Sequence, residues 1–138
     1  MSSESNTIVD VHLYYASIRF LRFAAVHHWF LIDDGNTVER WEVWQKQNAG
    51  GISRGHLHRN LKPPFENVRG GPTRLVQSWS GHEAEQIVKV LHDSWHSYPY
   101  LNVYRYIPGP NSNTYIAWVL SEAGVTLPLS RRAIGSRW

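Results

Sequence analysis

Two strand-forming segments joined by a short turn dominate the first third of the chain. Residues 24–32, AAVHHWFLI, form an apolar run that is typical of a buried central strand. Residues 37–45, TVERWEVWQ, alternate polar and apolar side chains, as a strand with one buried face does. Between them, residues 33–36, DDGN, supply turn-forming residues. The pattern therefore predicts a β-hairpin.

The remaining strand signals are weaker. Residues 8–15, IVDVHLYY, alternate in the same way and predict another half-buried strand. Residues 46–76 are rich in glycine, asparagine, arginine and proline, and predict only one short strand, near 56–61. This segment is the least regular part of the chain.

Two helices are predicted in the second half. The first begins at Ser80, because SGHE has the spacing of a capping box, and ends before Pro99. The second covers about Thr114 to Ala123, with Gly124 as its C-terminal cap. The order of elements predicts an α+β fold in which an antiparallel β-sheet packs against helices.

Length and composition limit the class of protein. A chain of 138 residues and 16.0 kDa is expected to form a single domain over 1–138, with 1–7 as a flexible N-terminus. Although 42% of the residues are hydrophobic, no apolar run is long enough to span a membrane. The first ten residues lack a secretory signal, so a cytoplasmic location, or export without a standard signal peptide, is expected.

The charge and the absence of cysteine exclude further classes. Without cysteine the chain has no disulfide, no thiolate metal site and no cysteine nucleophile. We expect no cofactor and no metal. The net charge of +3 comes from mostly scattered basic residues, whereas a nucleic-acid groove needs a denser basic stripe, which argues against nucleic-acid binding. Nucleic-acid binding is a third interpretation, motivated only by the basic pI and the aromatic residues.

The most unusual local sequence is PGPNSNT, residues 108–114, directly before the second helix. Ser112 is expected at or just before the helix N-terminus, where free amides and the helix dipole stabilise developing negative charge. A hydroxyl there is well placed to act as a nucleophile if a base reaches it. The alternative is that Ser112 only caps the helix.

A candidate base lies on the apolar strand. His27 and His28 are consecutive, so their side chains point to opposite faces of the sheet, and at most one faces the helices. Glu42, on the partner strand of the hairpin, is a candidate to orient such a histidine. The alternatives are a hydrogen-bonded packing histidine and a solvated glutamate.

These segments carry a family resemblance. NSNTYIAWVLSEAGVTLPLSRRAIG resembles the nucleophile helix of NlpC-type, papain-like hydrolases, and AAVHHWFLID resembles their histidine strand, in the order of the circularly permuted branch. The chain is also similar to an uncharacterised bacterial domain family with a VHTW, PGPNSNTF and AIGKD signature. The matching segments lie in the same order between residues 20 and 138, namely VHHW, SYPY, PGPNSNTY and RRAIGSRW.

The resemblance implies an architecture and a site. It implies a permuted NlpC-like fold in which Ser112 stands at the nucleophile position, where the superfamily has cysteine, and His27 at the histidine position. Glu42 is the best third member, and the amides of Ser112 and Asn113 are the expected oxyanion site. The residues expected to contact substrate are Asn111, Asn113, Tyr98, Tyr100, Tyr104 and Trp29.

Other polar groups carry weaker signals. His56 and His58 alternate and His92 and His96 lie four apart, but neither pair has a third metal ligand nearby, and exposed loop or surface histidines are the simpler interpretation. The last group consists of Arg131, Arg132 and Arg137, near the C-terminus. One interpretation is that these arginines bind a carboxylate or phosphate, and the alternative is that they are solvated.

Two functional hypotheses follow. The first is a hydrolase or acyltransferase acting on an amide or ester bond, with His27 as base and Ser112 as nucleophile. The second is a catalytically inactive module that binds a small molecule, peptide, glycan or protein in an aromatic cleft. The sequence leaves the substrate and the oligomeric state open.

Overall fold

The structure is a computed structural model that describes residues 8–20, 23–68 and 72–138. The N-terminal segment 1–7, predicted to be flexible, lies outside the described residues. Six strands and two helices are defined in this part of the chain, in the order β1 (Asp10–Phe20), β2 (Phe23–Asp33), β3 (Val38–Val43), β4 (Ile52–Arg54), β5 (Leu57–Arg59), β6 (Thr73–Trp79), α1 (Gly81–Ser97) and α2 (Ser112–Glu122).

The strands form one antiparallel sheet in the order β4-β5-β3-β2-β1-β6. The predicted hairpin is confirmed, since β2 and β3 pair from Phe30 opposite Trp41 to Asp33 opposite Val38. Asp34 shapes the turn by accepting hydrogen bonds from the amides of Asn36 and Thr37. The α+β class and the antiparallel sheet are therefore confirmed.

Strand β6 was missed in the sequence. It pairs with β1 at the edge of the sheet, and most of its side chains, including Leu75 and Val76, are exposed. Since an edge strand with two solvated faces needs no apolar alternation, the pattern that revealed β1 to β3 is missing here.

The two faces of the sheet are covered differently. One face packs on α1 and α2 in the main core, which includes Phe30 and Trp41. The other face carries a smaller core around Trp29 and Leu31, covered by the irregular segment 61–68. Alternation along β2 places His28 on the helix side and His27 on the opposite side.

Helix α1 matches its predicted limits, but its predicted capping box is wrong. Ser80 is the N-cap residue, yet its side chain makes no capping hydrogen bond. The helix is held by its buried face instead, which includes Ala84, Ile87 and Leu91. None of the helices in the described residues is long and apolar enough to cross a membrane.

The candidate site lies beside the first part of β2, where the strand extends past the end of β3. Of the residues of β2, only Phe30–Asp33 pair with β3. The first part of β2 therefore has no neighbouring strand on the β3 side. The start of α2 and the C-terminal segment, residues 123–138, occupy this edge. The Val26 amide donates to the Arg132 carbonyl (3.2 Å), and the Asn113 side chain donates to the Val26 carbonyl (2.8 Å). The start of α2 is thereby fixed beside His27 and His28.

Gly135 allows the C-terminal segment to cross the start of α2. Its φ is +95°, and a Cβ there would lie 2.4 Å from the Asn111 side chain. We expect Gly135→Ala to cost more than Gly124→Ala, because Gly124 also has a positive φ (+71°) but open space around it. The Gly124 variant should lose about 1–2 kcal/mol from backbone strain alone. Urea unfolding of both variants tests this, and equal losses would contradict the steric role of Gly135.

Candidate functional site

A small pocket lies where the start of α2 meets the open edge of β2. Its volume is about 30 Å³, which is room for one or two water molecules. Both predicted reacting residues, His27 and Ser112, line it, although they lie 85 positions apart in the chain. The other polar and aromatic lining residues are Trp44, Gln45, Tyr104, Tyr106, Asn111 and Asn113.

Ser112 is the first residue of α2 and does not cap it. Asn111 is the N-cap, and its side-chain oxygen accepts from the amides of Asn113 (3.0 Å) and Thr114 (3.3 Å). The Thr114 hydroxyl in turn accepts from the Asn111 amide (3.0 Å). The alternative in which Ser112 serves only as the cap is therefore wrong, since Asn111 performs that role.

The side chains of Asn111 and Asn113 are already engaged within the protein. Asn111 also donates to the Tyr106 carbonyl (2.9 Å). Asn113 accepts from His28 Nδ1 (2.9 Å) and donates to the carbonyls of Val26 and Ile134. Both asparagines border the pocket. The Asn113 bonds hold α2 to β2 and to Ile134, whereas the Asn111 bonds hold the start of α2 to the segment before it.

The predicted oxyanion site, formed by the amides of Ser112 and Asn113, needs a correction because one of these amides is already hydrogen-bonded within the protein. The Asn113 amide donates to Asn111 and is not free for a ligand. Of the two predicted donors, the Ser112 amide is left, since no hydrogen bond from it is found among the described residues. It lies in the first turn of α2, where the helix dipole favours negative charge.

His27 and Glu42 form a buried pair, as predicted. His27 Nε2 lies 2.6 Å from Glu42 Oε2, and the two side chains are 2% and 0% exposed. Because Nε2 faces the carboxylate, Nδ1 is the nitrogen that remains for a group in the pocket. In the described part of the chain Nδ1 makes no hydrogen bond.

Arg40 completes this network and was missed in the sequence. Its Nε donates to Glu42 Oε1 (2.7 Å) and its Nη2 to Glu42 Oε2 (3.0 Å), and its side chain is fully buried. The remaining nitrogen, Nη1, donates to the carbonyls of Pro63 and Glu66. The guanidinium also lies 3.8 Å from the centre of the Trp29 ring. The available signal was the two-residue spacing of Arg40 and Glu42, which places both on one face of β3.

The network keeps Glu42 ionised. Burial by itself would raise the pKa of Glu42, but the hydrogen bond and charge of His27, followed by those of Arg40, bring it down to about 2. The ionised carboxylate fixes the orientation of the His27 ring through the bond to Nε2. This arrangement suits a histidine that accepts a proton at Nδ1.

Ser112 and His27 both line the pocket, but their side chains are not hydrogen-bonded to one another. The Ser112 hydroxyl interacts with Tyr104: burial raises the pKa of Tyr104 to about 12, and a hydrogen bond with Ser112 acts in the opposite direction. Trp44 closes another side of the pocket with its ring 5.3 Å from the His27 ring.

The other predicted substrate-binding aromatics lie elsewhere. Tyr98 belongs to the main core, where its ring packs on Tyr115 and Trp118. Tyr100 packs against Tyr98. Trp29 is fully buried beneath Arg40 and donates to the Pro64 carbonyl. Of the predicted aromatic residues only Tyr104 lines the pocket. Residues 98–106 contain a turn at 99–102 and no strand, so the three tyrosines do not share one face of an extended segment.

His28 faces the helix side and is held neutral at pH 7. Burial lowers its pKa to about 4, against a smaller opposite effect of the Asn113 hydrogen bond. Between pH 6.5 and 4 the unfolded chain therefore binds a proton that the folded chain does not. Stability from His28 is fully present above pH 6.5 and is lost as the pH falls to 4.

This loss predicts a measurable pH dependence. Over that window the free energy of unfolding should fall by about 3 kcal/mol more in the wild type than in His28→Asn. Asparagine keeps a donor at the position of Nδ1 but does not titrate. Urea unfolding at pH 7, 5.5 and 4 measures the difference, and parallel curves for the two proteins would contradict it.

The two remaining histidine pairs lie in different environments. His56 and His58 are buried, contrary to the expectation of exposed loop residues, and their Nδ1 atoms bond to the carbonyls of Trp44 and His56, respectively. His92 and His96 are exposed on α1, as expected. The described residues contain no group of three or more His, Cys, Asp or Glu side chains that could hold a metal ion.

Comparison with known proteins gives a family and no activity. Residues 8–138 match the family described as protein of unknown function, DUF3750. No curated protein and no solved structure matches the chain. Nothing in these comparisons links the chain to NlpC-type, papain-like hydrolases or to the VHTW and PGPNSNTF signature, so both resemblances stay predictions.

Proposed function

The chain belongs to the DUF3750 family, and we propose that it is a hydrolase or acyltransferase acting on an ester or amide bond. Ser112 is the nucleophile, His27 the general base, and Glu42 the residue that orients the base. The observation that carries the proposal is the shared pocket: it joins a serine at a helix N-terminus to a histidine whose other nitrogen is anchored on a buried carboxylate.

The proposed reaction proceeds in two halves. The Ser112 hydroxyl turns from Tyr104 towards His27 and forms a bond to the acyl carbon, while its proton passes to Nδ1. The bond to the leaving group then breaks, and the leaving alcohol or amine takes the proton from Nδ1. A water molecule or an acceptor alcohol or amine releases the acyl group by the same steps, which returns the proton to Ser112. The Ser112 amide and the helix dipole stabilise the negative oxygen of each tetrahedral intermediate.

The pocket is small enough that only the reacting part of a substrate would fit inside it. A volume of about 30 Å³ admits the reacting carbonyl group but not a whole acyl chain, peptide or sugar. The bulk of the substrate would therefore lie outside, against the rim that Tyr106 and Gln45 border. The arrangement of histidine strand before nucleophile helix is also the order expected of a permuted NlpC-like fold, which we propose as the architecture.

Labelling with a fluorophosphonate tests the proposal. The wild type is expected to form a covalent adduct at Ser112, located by peptide mass spectrometry, and Ser112→Ala is expected to lose it. Ser121→Ala is the matched control, because Ser121 is an exposed serine on the same helix. An adduct that persists in Ser112→Ala, or no adduct in the wild type, counts against a serine nucleophile.

A binding module is the second candidate, and the contact between Ser112 and Tyr104 favours it. In that function Ser112 stays bonded to Tyr104 and makes no essential bond to the ligand, part of which the pocket holds without turnover. A panel of esters and amides would then give no product, while a ligand would raise the melting temperature of the wild type and Ser112→Ala alike. Turnover that requires Ser112 would exclude this function.

A further inference from the structure

A second cavity lies on the other face of β2, on the side of the sheet that carries the helices. Its volume is about 320 Å³, which is within the range of small-molecule sites. Strands β1, β2 and β6 and the segment 128–132 enclose it. Among the described residues only Val26 borders both this cavity and the Ser112 pocket, so strand β2 separates the two.

Of two polar side chains that line this cavity, one is buried and one is exposed. His28 is 3% exposed, and its Nδ1 donates to Asn113, which leaves Nε2 as a hydrogen-bond acceptor. The backbone of Arg132 is fixed beside β2, because its carbonyl accepts from Val26 and its amide donates to the Ser130 hydroxyl (3.1 Å). Its side chain is exposed at the cavity mouth. Its guanidinium makes no ion pair within the described residues.

The rest of the lining is mainly apolar. Val26, Val76, Pro128 and Leu129 form apolar walls, and Tyr15 and Ser17 lie on β1. A ligand that matches this lining needs three parts: a carboxylate for Arg132, a donor for His28 Nε2, and a branched apolar group for the valine and leucine walls. Because burial holds the pKa of His28 near 4, the ring stays a neutral acceptor at pH 7.

We propose that this cavity binds a small carboxylic acid that carries an N–H or O–H donor beside the carboxylate and a branched apolar side chain. N-acylated amino acids have this chemistry. The site goes beyond the proposed hydrolytic function and does not involve Ser112.

N-acetyl-L-leucine is the probe, titrated into ¹⁵N-labelled protein and followed by NMR. Saturable shifts are expected at the amides of Val26, Val76 and Leu129, with the same affinity in Ser112→Ala. The methyl ester of the probe, which lacks the carboxylate, and 4-methylpentanoic acid, which lacks the donor, should each bind about ten times more weakly.

Paired variants separate the site from general charge effects. Arg132→Ala and His28→Asn should each weaken binding about tenfold. Arg131→Ala should not, because this neighbouring exposed arginine does not line the cavity. The proposal is overturned if no saturable shifts occur at about 20 mM probe, where a site with a Kd on the order of 1 mM would be nearly full. It is also overturned if Arg131→Ala and Arg132→Ala weaken binding equally, or if the ester binds as well as the acid.

Discussion

Cysteine introduced at position 112 is expected to ionise about 1–3 pH units below cysteine introduced at position 121 of the same helix. The first turn of α2 and a protonated His27 both stabilise a thiolate at position 112, whereas position 121 is exposed near the other end of the helix. The natural chain has no cysteine, so each variant carries a single thiol. The pH dependence of the alkylation rate with iodoacetamide gives both thiol pKa values, and the midpoint does not depend on how easily the reagent enters the pocket.

A third variant assigns the effect to His27. In the Ser112→Cys protein, His27→Gln keeps a donor for Glu42 but removes the charge beside the thiol. We expect it to raise the thiol pKa towards the value at position 121 by about one unit. Equal thiol pKa values at positions 112 and 121 would contradict the proposed nucleophile–base pair, as would a thiol at position 112 that reacts at no pH.

Loss of Arg40 is expected to be the most destabilising single change in the charged network. Arg40→Met preserves much of the volume but leaves the Glu42 carboxylate without its two guanidinium hydrogen bonds in a fully buried site. It also removes the bonds to the Pro63 and Glu66 carbonyls. The free energy of unfolding should fall by about 3–5 kcal/mol, since the buried carboxylate then keeps His27 as its partner but loses the permanent positive charge beside it.

Urea unfolding at pH 7 measures this loss, with Arg74→Met as the control. Arg74 is an exposed arginine on β6, and its substitution should change stability by less than about 0.5 kcal/mol. The double variant Arg40→Met, Glu42→Leu should be more stable than the sum of the single changes implies, because it leaves no buried carboxylate without its arginine. A loss below about 1 kcal/mol for Arg40→Met would contradict a central role of Arg40.

Local sequence patterns predicted the elements that carry the site but not all the contacts between them. Period-two alternation was sufficient for β2 and β3, and hence for the opposite directions of His27 and His28 and for Glu42 on the neighbouring strand. The spacing of polar residues before an apolar segment was sufficient for the start of α2. Each of these depends on neighbours only a few positions apart.

The misses share a different cause. Arg40 was overlooked because a charged residue on a strand normally faces water, and here the segment 61–68 covers that face of the sheet. Tyr98 was assigned to a cleft because its spacing fits a strand, whereas the chain turns and the ring enters the core. In both cases the environment of the side chain comes from residues that the local pattern does not contain.

The sequence by itself determined the hairpin, the helices and the antiparallel α+β class, because these follow from backbone periodicity, and it made Glu42 a candidate partner of His27. Only the tertiary structure decided that Asn111 caps α2 and frees Ser112 from that role, that Arg40 anchors Glu42, and that His27 and Ser112 line one pocket. The physical reason is distance along the chain. A buried charge or a shared pocket depends on segments that are far apart in sequence and meet only when the sheet, the covering loop and the C-terminal segment have packed together.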